Sequence, residues 1–452
     1  MRRPAQNPLP LSLGALLVAT AAVAAEPAVL TLDEALRLAA SANETPAVAA
    51  ARLERAQALR RQAVSALVPS LSVSGTYTRR PREITRLIDG DEVTVQAIDG
   101  LSGQAQARAT LFDLRALPLL RAATRGVGAQ RFESAELERA LANDVADGFF
   151  LVLGAEQLRN AAGERVRAAE ATLAEARLRV EAGLAGRNDA TRTELELATA
   201  RLEETTAGAA VRTTRLALEF LVAAPIADRP LVEPEPPELP PGERPLLVAL
   251  ALGARADLAA LVERAEQARQ LARAPRLGIL PRLDAVGVYR ATNEAGLSGR
   301  EEDWNVAVGL VWELYDGGSR GAVAAQRDAE AREAELAVSR RRREVALDVD
   351  EALAALSTAE AGVAQAEVRL EVAAANTLEV RERYSNGLAS ALEQTDAAVE
   401  QFEAETEVVR QRYGRALARL ALRRALGDWP AATAPDADPW TSHPTQREVT
   451  TP

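Results

Sequence analysis

Leu67-Val68-Pro69-Ser70-Leu71 leads into Tyr77, and Leu280-Pro281-Arg282-Leu283 leads into Tyr289; the two prolines and the two tyrosines each stand 212 residues apart. Two further pairs follow in the same order. Leu111-Phe112-Asp113 answers Leu314-Tyr315-Asp316 at an offset of 203, and Val180-Glu181-Ala182-Gly183-Leu184-Ala185 answers Tyr384-Ser385-Asn386-Gly387-Leu388-Ala389 at 204. Ordered matches of this kind mean a duplicated unit of about 205 residues. The register slips only between Tyr77 and Leu111, where a surface loop absorbs the length difference.

Each unit reads as helix, strand pair, very long helix, turn, helix. The strand segments have period two. Gln104 to Leu111 alternates polar and apolar, Val306, Val308, Leu310 and Trp312 share one face, and Leu71, Val73 and Tyr77 do the same around Gly75. Such two-faced strands fit a barrel wall between lipid and water, and equally a soluble half-buried sheet. No proline occurs from Leu119 to Ala224 or from Arg282 to Trp429, and both runs are dense in Ala, Leu, Glu and Arg, all strong helix formers. A helix from Ser319 to Asn386 is roughly 100 Å long. Val349, Leu356, Val363, Leu370, Thr377 and Tyr384 stand seven apart, as do Val145, Val152, Arg159, Val166, Leu173 and Val180. That spacing predicts a seam facing another helix along its length, in a larger helical wall or in a simple two-stranded coiled coil.

The domain boundaries follow. Residues 26–224 form the first repeat with its strand pair at 71–113, and 246–427 the second with its strand pair at 283–316. Between them, 225–245 holds eight of the 23 prolines and reads as an extended connector. A Pro-rich tail occupies 428–452. Residues 1–25 read as a signal peptide: Arg2 and Arg3, an apolar stretch from Leu9 to Ala22, then small residues before Glu26. A membrane anchor is the competing reading, disfavoured by Pro10, Ser12 and the short apolar length.

Composition removes most chemistry. The 452 residues contain no Cys and a single His, His443, in the tail, so disulfides, thiolate nucleophiles, Cys zinc sites, Ser-His-Asp triads and His-rich metal sites are excluded. All 54 basic residues are Arg, which removes lysine chemistry. A net charge of −11 disfavours nucleic acid as a partner. The expectation is a protein that is not an enzyme and needs no cofactor or metal.

With the signal peptide, the duplicated Leu-Pro-x-Leu entry to a strand ending in Tyr, Leu-Tyr-Asp-Gly-Gly-Ser-Arg at 314–320 and paired Gly-Leu-Ala turns at 183–185 and 387–389, the chain resembles the TolC family of outer-membrane efflux proteins. The resemblance spans about Leu30 to Gly427. It departs at Asp113-Leu114-Arg115, which replaces the Asp-Gly-Gly form and leaves that turn's geometry open. It implies a homotrimer in which each protomer donates four strands to a 12-stranded β-barrel, continuous with a periplasmic α-helical barrel. It implies a passive outer-membrane duct for small molecules such as drugs, partnered by a periplasmic adaptor and, directly or through it, an inner-membrane transporter. A type I protein-secretion duct is the alternative. A periplasmic coiled-coil adaptor or structural rod also fits the heptads, but not the strand pairs.

The same resemblance assigns candidate residues. Gly183, Leu184, Ala185, Gly387, Leu388 and Ala389 form the adaptor-contacting tip. Asp189, Tyr384, Glu393 and Asp396 lie at a periplasmic gate, where a ring of carboxylates would favour cations and raise its members' pKa values. Arg192, equivalent to Asp396 between repeats, is a candidate partner for it. Glu393 also reads as the end of a Ser390 capping box, and the glycines as helix C-caps. Tyr77, Phe112, Tyr289, Trp304, Trp312 and Tyr315 gather most of the few aromatics near the strands and suggest a membrane-interface belt.

Overall fold

The computed structural model describes residues 29–88, 91–226, 229–235, 239–294 and 300–428. The signal peptide and the tail beyond Asp428 lie outside the described residues, as do parts of the connector. The single leading helix expected of each repeat is a bent pair: α1 (Leu32–Ala42) with α2 (Glu44–Ser65), and α5 (Arg244–Ala254) with α6 (Ala256–Leu277). The strands are β1 (Ser70–Arg79), β2 (Ile84–Ile88), β3 (Asp91–Gln96), β4 (Asp99–Phe112), β5 (Arg282–Thr292) and β6 (Glu302–Val311). The long helical hairpins are α3 (Ala116–Glu181) with α4 (Arg187–Val222) and α7 (Ser319–Ser385) with α8 (Ala391–Leu426).

The main sheet runs β1-β4-β5-β6, antiparallel throughout. It joins the two repeats through β4–β5. The length difference between the repeats is filled by structure that the sequence pattern did not reveal, the separate β2–β3 ribbon. Strand β6 stops at Val311, so Trp312 and Tyr315 lie just past the sheet and not within it.

Four helices leave the same end of the sheet. Near it they stand side by side as α2-α3-α6-α7, and further away as α4-α3-α8-α7. Proline-free, Ala-rich sequence permits these lengths, and close Ala packing holds them together. Along the α3 seam Val145 and Val152 are fully buried, with Val166 and Leu173 close to it; on α7 Val349, Leu356 and Val363 are buried likewise. Arg159 is the exception: it is exposed, because a guanidinium at a seam position turns out to water. Halfway along, α1 adds a layer on α3 and α4, and the core there contains Phe149, Phe150, Leu30, Leu36, Leu218 and Ile226. In the second repeat α5 packs Leu247 and Ala251 against Val345, Val349 and Leu356 of α7. Beside it Asp257 lies between the guanidinium groups of Arg255 and Arg341; burial works against its ionisation, and the two arginines hold its carboxyl below the usual range.

The two strand-to-helix turns reach one geometry by different routes. In both, the amide three residues on bonds to the aspartate carbonyl, Ala116 to Asp113 at 3.2 Å and Ser319 to Asp316 at 3.4 Å. The second turn places Gly317 and Gly318 at φ of 69° and 89°. The first keeps Arg115 in the right-handed region at φ −67°, and Asp113 binds both its amide (2.9 Å) and its guanidinium. The open question at Asp113-Leu114-Arg115 is thereby answered: both turns are clamped by the aspartate side chain, since Asp316 accepts from the amides of Gly318 (3.1 Å) and Arg320 (2.7 Å), and the first manages without the left-handed backbone that the two glycines give the second.

Candidate functional site

Two regions of this architecture bear on function: the sheet and the hairpin tips. In the sheet the register puts like with like. Directly paired rows run Leu71–Ala107–Gly287–Val306 and Val73–Ala105–Tyr289–Trp304, with Ala109–Ala285–Val308 and Tyr77–Leu101 continuing the same face. The opposite face carries Ser72–Gln106–Val288–Asn305 and Ser74–Gln104–Arg290–Asp303. One side is thus apolar from the helix end up to the Tyr77 row, where Arg79, Asp99 and Glu302 take over, and the other is largely polar. Trp304 and Trp312 stand eight residues apart, about 26 Å along an extended strand, which the tilt of strands in a membrane barrel reduces to about 18–21 Å of height, most of an apolar band. Tyr77, Tyr289 and Trp304 lie toward the end remote from the helices; Phe112, Trp312 and Tyr315 lie at the helix end. Among the described residues neither outer edge, β1 or β6, has a paired strand. Among the described residues no single helix is long and apolar enough to cross a membrane; α5 and α6 pass that test only jointly, bent by 55°.

At the other pole the hairpins turn. After α3, Leu184 N–H donates to Arg179 O (2.8 Å) and Gly183 N–H to Val180 O (3.1 Å); after α7, Leu388 N–H donates to Arg383 O (2.8 Å) and Gly387 N–H to Tyr384 O (3.0 Å). These are matching Schellman caps, with φ of 70° at Gly183 and 73° at Gly387. The turn throws the next side chain outward: Leu184 is 79% and Leu388 71% exposed. Ala185 and Ala389 are half-buried beside them.

The gate candidates divide. Tyr384 is buried, and the Arg179 guanidinium stacks on its ring at 4.2 Å while donating to its carbonyl (3.0 Å) and to that of Ser385 (3.3 Å). Burial raises the phenol pKa, Arg179 opposes this, and the carboxylates of Glu175 and Asp189 push it further up. Asp189 therefore lies within electrostatic reach of Tyr384 and is half-buried in the first turn of α4. Glu393 completes the capping box: its Oε2 accepts from Ser390 N–H (2.7 Å) and Ser390 Oγ–H (2.9 Å). Those donors hold its carboxyl below the usual glutamate range, opposite in sign to the effect of a repulsive ring. Arg192 and Asp396 are both exposed, and no ion pair joins them within the chain.

Sequence reasoning missed Arg179, which ties the tip of one hairpin to the tip of the other. A signal existed: Arg383 is its counterpart at the repeat offset of 204. It missed Arg165 as well. That side chain joins α3 to Glu196 (2.6 Å) and Glu203 of α4 and lies on the Phe402 ring of α8 at 4.5 Å. Beside it, between the hairpins, is a cavity of about 390 Å³ lined by Thr193, Thr377, Gln394 and Gln401. Among the described residues no group of acids and His is arranged to hold a metal ion.

Solved structures share this architecture. CusC, described by its transmembrane channel formation, superposes with a TM-score of 0.77 at 16% identity over 88% of this chain and 92% of its own. The outer membrane protein VceC from Vibrio cholerae gives 0.75 at 18% identity, covering 88% and 96%. The CmeC outer membrane channel of Campylobacter jejuni gives 0.74 at 17%, covering 88% and 85%. No curated protein sequence matches the chain significantly. The sequence profile described as outer membrane efflux protein matches residues 35–224 and 247–428, both repeats and most of the chain. By that match the chain belongs to the outer membrane efflux protein family.

Proposed function

We propose that three copies of this chain close into one tube that serves as the outer-membrane exit duct of a tripartite efflux system, passing small molecules outward without chemical change. The observation that carries this reading is that every layer of the protomer ends in two open edges. Among the described residues β1 and β6 have no outer partner, and unpaired backbone groups facing hydrocarbon cost several kcal/mol each. Of the helices, α4 and α7 flank the distal layer. On α4, Leu195, Leu202 and Leu216 follow a seven-residue spacing on the surface, with Phe220 80% exposed nearby. A heptad of exposed leucines on an edge helix fits a neighbouring helix of another copy. Twelve strands from three copies would put the apolar face toward lipid and the polar face toward the lumen.

In this reading the signal peptide at residues 1–25 exports the chain, the sheet enters the outer membrane, and the hairpins cross the periplasm. The tips meet a periplasmic adaptor through Leu184 and Leu388, and through it an inner-membrane transporter. Tyr384, Asp189 and Arg179 hold the tip closed, while Asp396 and Glu393 line its mouth. Closed-ring geometry would surround the axis with six carboxylates and favour cations. The Glu393 cap weakens that contribution relative to Asp396, because its charge is already engaged with Ser390. Outer-membrane fractionation followed by unheated gel electrophoresis and single-channel recording tests the reading. A heat-modifiable trimer with steady conductance is expected. A water-soluble monomer of the processed chain would overturn it.

A further inference from the structure

Charge along the chain is not evenly spread. Residues 55–70, 114–132 and 267–283 together hold eleven arginines and not one Asp or Glu, in a protein whose net charge is −11. These are the ends of α2, α3 and α6 that adjoin the sheet. Several of these arginines borrow acids from elsewhere, as Arg125 does from Glu263 (3.1 Å) and Arg276 from Asp328 (2.6 Å). Arg60, Arg61 and Arg121 are exposed and carry no ion pair among the described residues. Arg61 lies four residues before the end of α2, and Arg121 five residues after the start of α3, so all three stand about 6–8 Å along the axis from the helix ends that lead into the sheet. An extended arginine reaches across most of that distance.

Arg60 and Arg61 line a groove of about 620 Å³ with Thr124, Arg125, Gly128 and Arg131 of α3 and with Glu263 of α6, whose carboxylate Arg125 already engages. Gly128 and Thr124 keep its floor low. The groove opens on the side of α3 that α1 covers further down, since Arg131 precedes Val145 of that core by two heptads. In a closed tube that side is the outside, away from the lumen. Above it the exposed apolar residues Leu67, Val68 and Phe112 lead into the apolar face of the sheet.

We infer that this arginine collar binds the headgroups of anionic phospholipids, phosphatidylglycerol in kind, in the leaflet on the helix side of the membrane. The phosphodiester of a phosphatidylglycerol anchored in that leaflet presents its charge at the depth the three guanidinium groups reach, and Arg forms bidentate bonds to its two free phosphate oxygens. This rests on the membrane-channel reading above. Near an anionic surface each basic residue favours the anionic lipid by about fivefold.

The test places the purified protein in nanodiscs of phosphatidylcholine with one fifth phosphatidylglycerol and compares retained lipid with the bulk ratio by mass spectrometry. The native trimer should enrich phosphatidylglycerol about fivefold or more; Arg60→Gln/Arg61→Gln/Arg121→Gln should return to the bulk ratio with trimer and conductance intact, and Arg121→Gln alone should fall between. A conducting native trimer without enrichment, or a triple variant that keeps it, overturns the lipid site and leaves the channel standing. Loss of the trimer in the triple variant, with a bulk ratio in the native protein, assigns the arginines to a contact between protomers instead. A native chain that never conducts removes the channel reading, and this inference with it.

Discussion

The two long helices come from matching halves of the sequence and meet different surroundings. Helix α3 has a neighbour on both sides along its whole length, α2 and α6 near the sheet and α4 and α8 beyond. Among the described residues helix α7 has a neighbour within the wall on one side only, α6 and then α8, with α5 packed over it partway along. Under the α1 layer α3 buries Phe149, Phe150, Leu141 and Leu153, and its exposed apolar residues are mostly half-covered (Phe132 40%, Leu151 50%); α7 leaves Leu336, Val368, Val372 and Leu378 more than 60% exposed. A duplicated unit folded into one flat wall cannot give both copies the same environment. One long helix becomes the middle of the wall and the other its edge, and the edge keeps apolar residues that no described element of this chain covers. Covering a leucine fully is worth about 2 kcal/mol, so a stripe of them decides assembly.

The largest test of that contrast strikes the opposite edge. Leu195→Asp with Leu202→Asp should eliminate the trimer band on unheated gels while circular dichroism stays helical, since both side chains face water in the single chain. An intact trimer would mean that α4 is not a wall edge. Next come the tips, where the halves are most alike. Leu184→Asp and Leu388→Asp should each abolish efflux in whole cells with trimers still assembling. If only one does, the adaptor reads the two hairpins differently; full efflux by both removes the tip assignment.

Much of this wall was legible because its signals are periodic and local. The run from Ser319 has no proline to stop it and a glycine in αL geometry at 387 to end it, and α7 ends at Ser385. The alternation at 104–111 is strand β4, and the register pairs its apolar residues with those of β1 and β5 as alternation requires. The β2–β3 ribbon went unread, although Asp89-Gly90 between alternating residues is a hairpin signal. A length difference between aligned repeats was easier to read as loop. Side-chain links between elements were least legible. Nothing in the heptad pattern distinguishes Arg179, which reaches Tyr384 across 205 residues, from Arg159, which turns to water. A charge on a helix looks the same in sequence whether its partner is water, its own dipole or another hairpin.

Arg179 sharpens the comparison at a smaller scale. Its counterpart Arg383 stacks on no aromatic ring among the described residues and adds only the smallest of the influences that lower the Glu393 pKa. Arg179→Ala should raise single-channel conductance severalfold by freeing the hairpins from one another, and Arg383→Ala should leave it near native. Equal effects would show that the tie is not specific to the first hairpin. Asp147 of α3 tests the buried side of the contrast. Desolvation raises its pKa to about 6, against the pull of Arg424 and with help from Asp144. A carboxyl whose folded pKa is raised contributes stability fully below its unfolded pKa near 4 and loses it as pH rises through about 6. Asp147→Asn should therefore raise stability above pH 7 by about 1–2 kcal/mol, allowing for screening by solvent, and change little at pH 4. A gain of equal size at both pH values would remove the electrostatic cause.

The smallest expected effect lies one turn past each tip, where the halves differ in a single cap. Helix α8 starts with the Ser390 capping box; helix α4 starts at Gly186 with no side-chain cap. Gly186→Ser supplies an oxygen for the orphan amides of α4 at a backbone conformation serine adopts readily, φ −80° and ψ 152°. It should stabilise that turn by a few tenths of a kcal/mol, seen as slower amide exchange at residues 188–190 and no change at α8. Ser390→Gly should do the reverse at 392–394. The second turn alone should also depend on acid: the Glu393 pKa is depressed in the fold, so its cap is fully present above the ordinary glutamate range and is lost as pH falls through the lowered value. Amide exchange at 392–394, corrected for intrinsic rates, should rise on acidification while that at 188–190 holds steady. Parallel behaviour of the two turns would mean that the cap contributes nothing measurable and that the hairpins differ only in what lies beside them.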